Sequence, residues 1–209
     1  MDLRMNGVPS PSFSHTPNDP YRMRAPTSPL APLGGAPRLV YLALVVLSSL
    51  GFFATVGVFV AAGMSSSSPY DRPDETLMGV GAIVFLLTVL LLYAHIFVGL
   101  YWVYKAWEWL PPEQRYTKHW RRWISPAQAA LLLLVPYFHY YWMFVVSCGL
   151  CDAMERMRVT HPTREAAPKG LAIAACITQL IVPLPVGAIM WLVYMSKFER
   201  LAREMSGRR

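Results

Sequence analysis

The chain has 209 residues, of which 55% are hydrophobic and 15% charged, where an ordinary soluble domain carries about 25% charged residues. Its apolar residues are gathered into long runs with almost no charge, which points away from a water-soluble globule and toward lipid as the relevant solvent. The net charge of +7 flanks those runs, as topology signals and contacts to anionic head groups do, so nucleic acid is not expected as a partner.

Residues 1–38 hold Pro9, Pro11, Pro17, Pro20, Pro26, Pro29, Pro32 and Pro37 among serines and glycines, with no apolar periodicity. They read as a disordered tail, and the first apolar run begins too late for a short cleaved signal peptide. Four segments then reach the length of about 20 apolar residues that crosses a bilayer. The first runs over 39–64 and ends in the Ser65 to Ser68 stretch and Pro69; the second covers 76–104, with His95 as its one titratable side chain other than tyrosine. The third, 125–151, opens on a capping box, with Ser125 as N-cap, Pro126 at the first helical position and Gln128 three residues after the cap. The fourth, 170–196, contains Pro183 and Pro185, which predict a kink or break, with a half-inserted hairpin as the alternative.

Basic residues in short connections resist translocation. The tail (Arg4, Arg22, Arg24, Arg38), the 105–123 connection (Lys105, Arg115, Lys118, Arg121, Arg122) and the C-terminal tail 198–209, with Lys197 beside it, are therefore placed in the cytoplasm. The first loop holds Arg72 against Asp71, Asp74 and Glu75, as an exported loop should. The 152–169 loop is placed outside as well, although Arg156, Arg158, Arg164 and Lys169 oppose its export. The 105–123 connection gathers Trp107, Trp109, Trp120 and Trp123 with Arg121 and Arg122, a composition that suits a segment lying along anionic head groups.

The stretch from Ile124 to Leu150 carries Ser125, Pro126, Ala129, Pro136, Phe138, Tyr141, Trp142, Phe144 and Gly149. On these residues it resembles a group of uncharacterised bacterial inner-membrane proteins that share a Thr/Ser-Pro start, an apolar run, Ile-Pro-Phe-Phe-Asn, then Tyr-Trp and Phe. His139 stands where that group has Asn. The resemblance implies a multi-span protein of the bacterial cytoplasmic membrane and nothing catalytic. A fainter echo, in which Trp102, Trp142 and Trp191 each close an apolar run, reads as aromatic belts rather than as an internal repeat.

Two sets of buried residues could carry chemistry. His95, His139 and Gln179 form a candidate intramembrane polar site, because ionisable residues inside spans often serve function, although two histidines fall short of a zinc ligand set. Cys148 and Cys151, one turn apart, with Cys176 form a candidate redox set, read more simply as small packing residues. No phosphate loop, acidic pair or Ser/His/Asp arrangement occurs in the loops. The sequence thus predicts an all-α, four-span membrane bundle with both termini cytoplasmic. It predicts a module that is not an enzyme, holds no cofactor or metal, and contacts anionic lipid and a second copy or another membrane protein. Solute transport through His95, His139 and the broken fourth span, and thiol redox chemistry, are the rival expectations.

Overall fold

A computed structural model describes residues 36–64, 75–181 and 186–207. The tail expected at 1–38 lies outside the described residues except for its last three positions, which begin the first helix. The Ser65 to Ser68 stretch and the Pro183/Pro185 break also fall outside them.

Two long apolar helices come first, α1 (Ala36–Met64) and α2 (Glu75–Trp109), and both are long and apolar enough to cross a membrane. They pack antiparallel, because a side chain grown on Gly51 would strike Thr88 while one on Gly99 would meet Tyr41. At Gly51 the added Cβ would lie 2.5 Å from the Thr88 hydroxyl, the close approach that small residues permit between helices in lipid. The hydroxyls of Ser49, Thr55 and Thr88 donate to carbonyls four residues back, at 2.7, 2.8 and 2.8 Å, so these three hydroxyls need no water. Only 17% and 6% of the two apolar stretches are buried. Phe53, Ile83 and Phe97 stand open on a surface that water would not tolerate at such extent.

The remainder is a compact helical unit built around the last two turns of α2. Arg115 donates to the Leu110 and Glu108 carbonyls at 2.9 and 3.0 Å, which caps the C-terminus of α2 with a cation. The chain then forms a small antiparallel ribbon, β1 (Tyr116–Thr117) with β2 (Arg122–Trp123), and enters α3 (Pro126–Leu131). The capping box is formed in full: the Gln128 amide donates to the Ser125 hydroxyl at 3.1 Å and the Ser125 amide to the Gln128 side chain at 3.0 Å.

The expected third span is not one helix. After α3 a 3-10 turn at Leu132–Leu134 leads into an extended Val135 (φ −77°, ψ 116°), as a residue before proline prefers, and Tyr137 turns the chain with φ 60°. Pro136 has no amide hydrogen to give to a helical ladder, and its ring crowds the preceding turn. The chain reverses there into α4 (Phe138–Met157), and the Trp142 indole N–H donates back across the reversal to the Ala129 carbonyl at 3.1 Å. The segment expected as a fourth span is likewise two helices, α5 (Lys169–Ile181) and α6 (Ala188–Met205). These run antiparallel, since the Arg164 amide donates to Glu204 at 3.4 Å and Glu165 pairs with Arg200. The expected C-terminal tail at 198–209 is mostly helix: α6 continues to Met205 and buries Phe198, Leu201, Ala202 and Met205.

The 105–123 connection and the 152–169 loop, expected at opposite ends of the bundle, meet at one end. Arg156 on α4 donates to the Gln114 side chain at 3.0 Å, the Gln114 carbonyl at 2.8 Å and the Tyr116 carbonyl at 3.2 Å. Asp152 binds Lys169 at 2.7 Å and lies 4.0 Å from His119. The ribbon sits so close to α4 that a Cβ on Gly149 would come within 2.8 Å of the Thr117 methyl and 3.3 Å of the Trp107 ring. Gly149→Ala should therefore lower stability by about 1–3 kcal/mol, the usual range for overpacking. In a Thr117→Ser background, where that methyl is gone, the same substitution should cost less than half as much; thermal unfolding of the four proteins in detergent reads the coupling.

Candidate functional site

The three polar residues of the intramembrane candidate converge. His95 from α2, His139 from α4 and Gln179 from α5 line one open cavity of about 180 Å³, bordered otherwise by Ser147 and by apolar and aromatic side chains from α1, α2, the 3-10 turn, α4 and α6. The Pro136 reversal sets this convergence, because it turns His139 back toward α2 one residue after α4 begins. The His95 ring meets Tyr41 edge to face with centroids 4.4 Å apart, and its Nδ1 is buried without a hydrogen-bond partner. A buried polar atom in that state costs about 1–3 kcal/mol, so a hydrogen-bonding guest would be stabilised there. The His139 ring leans on Tyr140 at 3.8 Å. Its backbone amide donates to the Val135 carbonyl at 3.0 Å.

The redox candidates lie in the packed interior. Cys148, Cys151 and Cys176 are free and buried at 6%, 1% and 0% exposure, with the Cys151 sulfur 3.8 Å from the Tyr194 hydroxyl. Thiol exchange needs an accessible sulfur, which none of these positions offers. Among the described residues, no group of three His, Cys, Asp or Glu side chains is placed to hold a metal ion.

The tryptophans expected along the head-group layer divide. Trp107 is fully enclosed and Trp109 is 9% exposed, so both belong to the core beside Phe198 and Gly149 rather than to a lipid surface. Trp120 and Trp123 are exposed, as are Arg121 and Arg122 on the ribbon. Interfacial composition and aromatic core composition look alike in sequence, and only packing separates them.

Sequence reasoning missed a second polar centre. Glu199, with no exposed surface, accepts the Trp102 indole N–H at 3.0 Å through Oε1 and faces Arg38 at 3.4 Å through Oε2. One carboxylate thus joins α1, α2 and α6. The available signal was the apolar spacing of Tyr194, Met195, Phe198, Leu201 and Ala202, which continues the helix beyond Lys197 and carries Glu199 into the core. Burial pushes the Glu199 carboxyl above its ordinary range, against the opposing pull of the Trp102 hydrogen bond, Arg38 and Arg203.

No family model, curated protein or solved structure matches the chain.

Because the folded state holds the Glu199 proton more tightly than the unfolded chain, its contribution to stability is full below the ordinary carboxylate range and is lost as pH rises through the folded pKa. Glu199→Gln keeps an acceptor for Trp102 but does not titrate. The melting temperature of Glu199→Gln relative to the parent should therefore climb from about pH 4 to about pH 8, starting near the ordinary carboxylate pKa. A difference that stays flat across that range would mean that Glu199 is not the titrating group.

Proposed function

We propose that this chain is a multi-pass membrane module with two full spans, α1 and α2, and two helical hairpins, α3–α4 and α5–α6, that enter the bilayer halfway from the same side and return. The observation that carries this reading is the bonding of Arg156 to Gln114 and Tyr116. A polar segment fastened by three hydrogen bonds to the loop after α2 cannot sit across a bilayer from it. The dimensions agree. The 13 residues of α5 extend about 20 Å, and the stretch from Ala188 to Ser196 about 14 Å, short of the roughly 30 Å hydrocarbon thickness. Apolar exposure is concentrated where the hairpins would enter lipid: Leu131, Leu134 and Tyr137 on the first, and Ile181, Val186 and Ile189 on the second.

The arrangement also removes the one conflict in the charge pattern. Arg156, Arg158, Arg164 and Lys169 now share a side with Lys105, Arg115, Lys118, Arg121, Arg122, Lys197, Arg200 and Arg203, which the positive-inside rule assigns to the cytoplasm. The role supported best is non-enzymatic. The module holds a basic cytoplasmic face at the head-group layer and packs with a second copy or another membrane protein through the exposed faces of α1 and α2. The resemblance of the Ser125 to Gly149 stretch to bacterial inner-membrane proteins is what favours a bacterial cytoplasmic membrane as its location.

A second reading, passage or binding of a small hydrogen-bonding solute, draws on the convergence of His95, His139 and Gln179 upon one cavity, a placement typical of sites at broken helices near the bilayer midplane. It expects loss of flux or binding on replacing either histidine with alanine, whereas the module reading expects assembly to be unaffected by either change.

Topology decides the main reading. On a background with Cys148, Cys151 and Cys176 replaced by alanine, single cysteines at Ser67, at Lys118 (exposed beside the ribbon), at Thr160 and at Ser206 should give impermeant-maleimide labelling in intact cells at Ser67 alone. The other three should react only after permeabilisation. Labelling at Thr160 in intact cells would restore four full spans and overturn the two-hairpin arrangement.

A further inference from the structure

We infer that the basic pocket between the start of α1 and the second half of α6 binds the phosphate-bearing head group of an anionic phospholipid. This proposal rests on the membrane reading above for its location, and on a separate set of residues for its chemistry. Arg38, Lys197, Arg200 and Arg203 border a hollow of about 360 Å³. Two of these cations have carboxylate partners: Arg38 faces Glu199, and Arg200 binds Glu165. Among the described residues, Lys197 and Arg203 have no carboxylate within 4.0 Å. Four cations thus stand against two carboxylates, Glu199, which also feels Arg203, and Glu165, an excess of positive charge that suits the single negative charge of a phosphodiester. Arginine supplies a planar fork of donors that suits phosphate oxygens, and lysine a point charge beside it.

The surroundings of the hollow select a lipid over a free anion. Leu192 and Val193 form its other wall, one turn toward the start of α6 from the cations. From there exposed Ile189 and Val186 continue along the helix, so that Val186, Ile189, Val193, Lys197 and Arg200 follow one another at helical spacings of three and four. On the facing helix, Arg38 is followed by exposed Leu39 and Leu42. Both walls pass from cation to hydrocarbon in the same direction, the profile of an amphiphile with an anionic head and an acyl chain. Such pockets at the cytoplasmic ends of membrane helices suit acidic lipid head groups.

The test uses the full chain purified in an uncharged maltoside detergent, with native mass spectrometry to count and titrate bound lipid. Phosphatidylglycerol should occupy one tight site, with phosphatidylcholine about tenfold weaker, in line with one to two cations acting on the head group. The Lys197→Gln/Arg203→Gln variant should lose about tenfold in phosphatidylglycerol affinity, Lys197→Arg should retain it, and Lys118→Gln/Arg122→Gln, which neutralises the ribbon on the same face, should match the parent. Equal binding of the two lipids would overturn the proposal, and so would equal losses in the two double variants, which would mean diffuse attraction to a basic face. Displacement of phosphatidylglycerol by an equal concentration of inorganic phosphate would also overturn it, by assigning the pocket to a free anion. Binding in detergent does not depend on how the chain is threaded, so failure of the two-hairpin topology would appear in the labelling experiment and leave this result standing on its own.

Discussion

The guanidinium of Arg156 organises the compact half of the molecule. It is partly enclosed and spends its donors on the Gln114 side chain and on the carbonyls of Gln114 and Tyr116. Burial lowers its proton affinity, with Asp152 pulling the other way, and an arginine remains charged through shifts of that kind. Hydrogen bonds from a charged donor contribute about 1.5–3 kcal/mol, and three from one group fix where the ribbon lies. Once the ribbon is held against α4, the Trp107 ring comes to rest over Gly149, and α4 must start deep and end at the level where α2 ends. The Pro136 reversal and the Arg156 anchor are two ends of one constraint.

Glu199 fixes the remaining relation, that of α1 to the compact unit. A carboxylate without exposed surface costs several kcal/mol in desolvation that a single partner rarely repays in full. Here the Trp102 indole and the Arg38 guanidinium share the task. Hydrophobic packing alone would let α1 slide on α2, because both surfaces are nearly uniform hydrocarbon along their length. A buried carboxyl paired with Arg38 removes that freedom at the Arg38 end, and the fit of Thr88 over Gly51 removes it further along. Specificity of register, rather than net stabilisation, is the physical return on such a pair.

How much of this was legible in the sequence follows from which interactions are local. The two long helices were plain from uninterrupted apolar runs, and the α3 cap from the Ser125, Pro126 and Gln128 spacing, since a capping box is complete within four residues. His95, His139 and Gln179 were legible as polar side chains inside apolar runs, and all three line one cavity, although the helices that carry them are not threaded as expected. The reversal at Pro136 was not. An apolar run of sufficient length reads as a span whether or not it turns midway, and Tyr137 at φ 60° has no composition signal. Trp107 and Trp109 were misassigned for a related reason: tryptophan near arginine describes both a head-group belt and an aromatic core sealed by capping cations. Glu199 and Arg156 were passed over because their partners are 97 and about 40 residues away in the chain.

Half-insertion has a consequence for the interior that full spans would not have. A helix that stops in hydrocarbon leaves amides and carbonyls unpaired, and these are tolerated at membrane depth only where protein covers them or a cavity receives them. In the proposed arrangement α3 and its 3-10 turn end beside α2 near His95, and the end of α5 arrives at the same level through Gln179. The cavity lined by His95, His139 and Gln179 is therefore where two interrupted helices must settle their backbone ends against a polar lining. Its histidines need no catalytic assignment to account for their place. The reversal brings His139 to the cavity, while His95 and Gln179 reach it from α2 and α5.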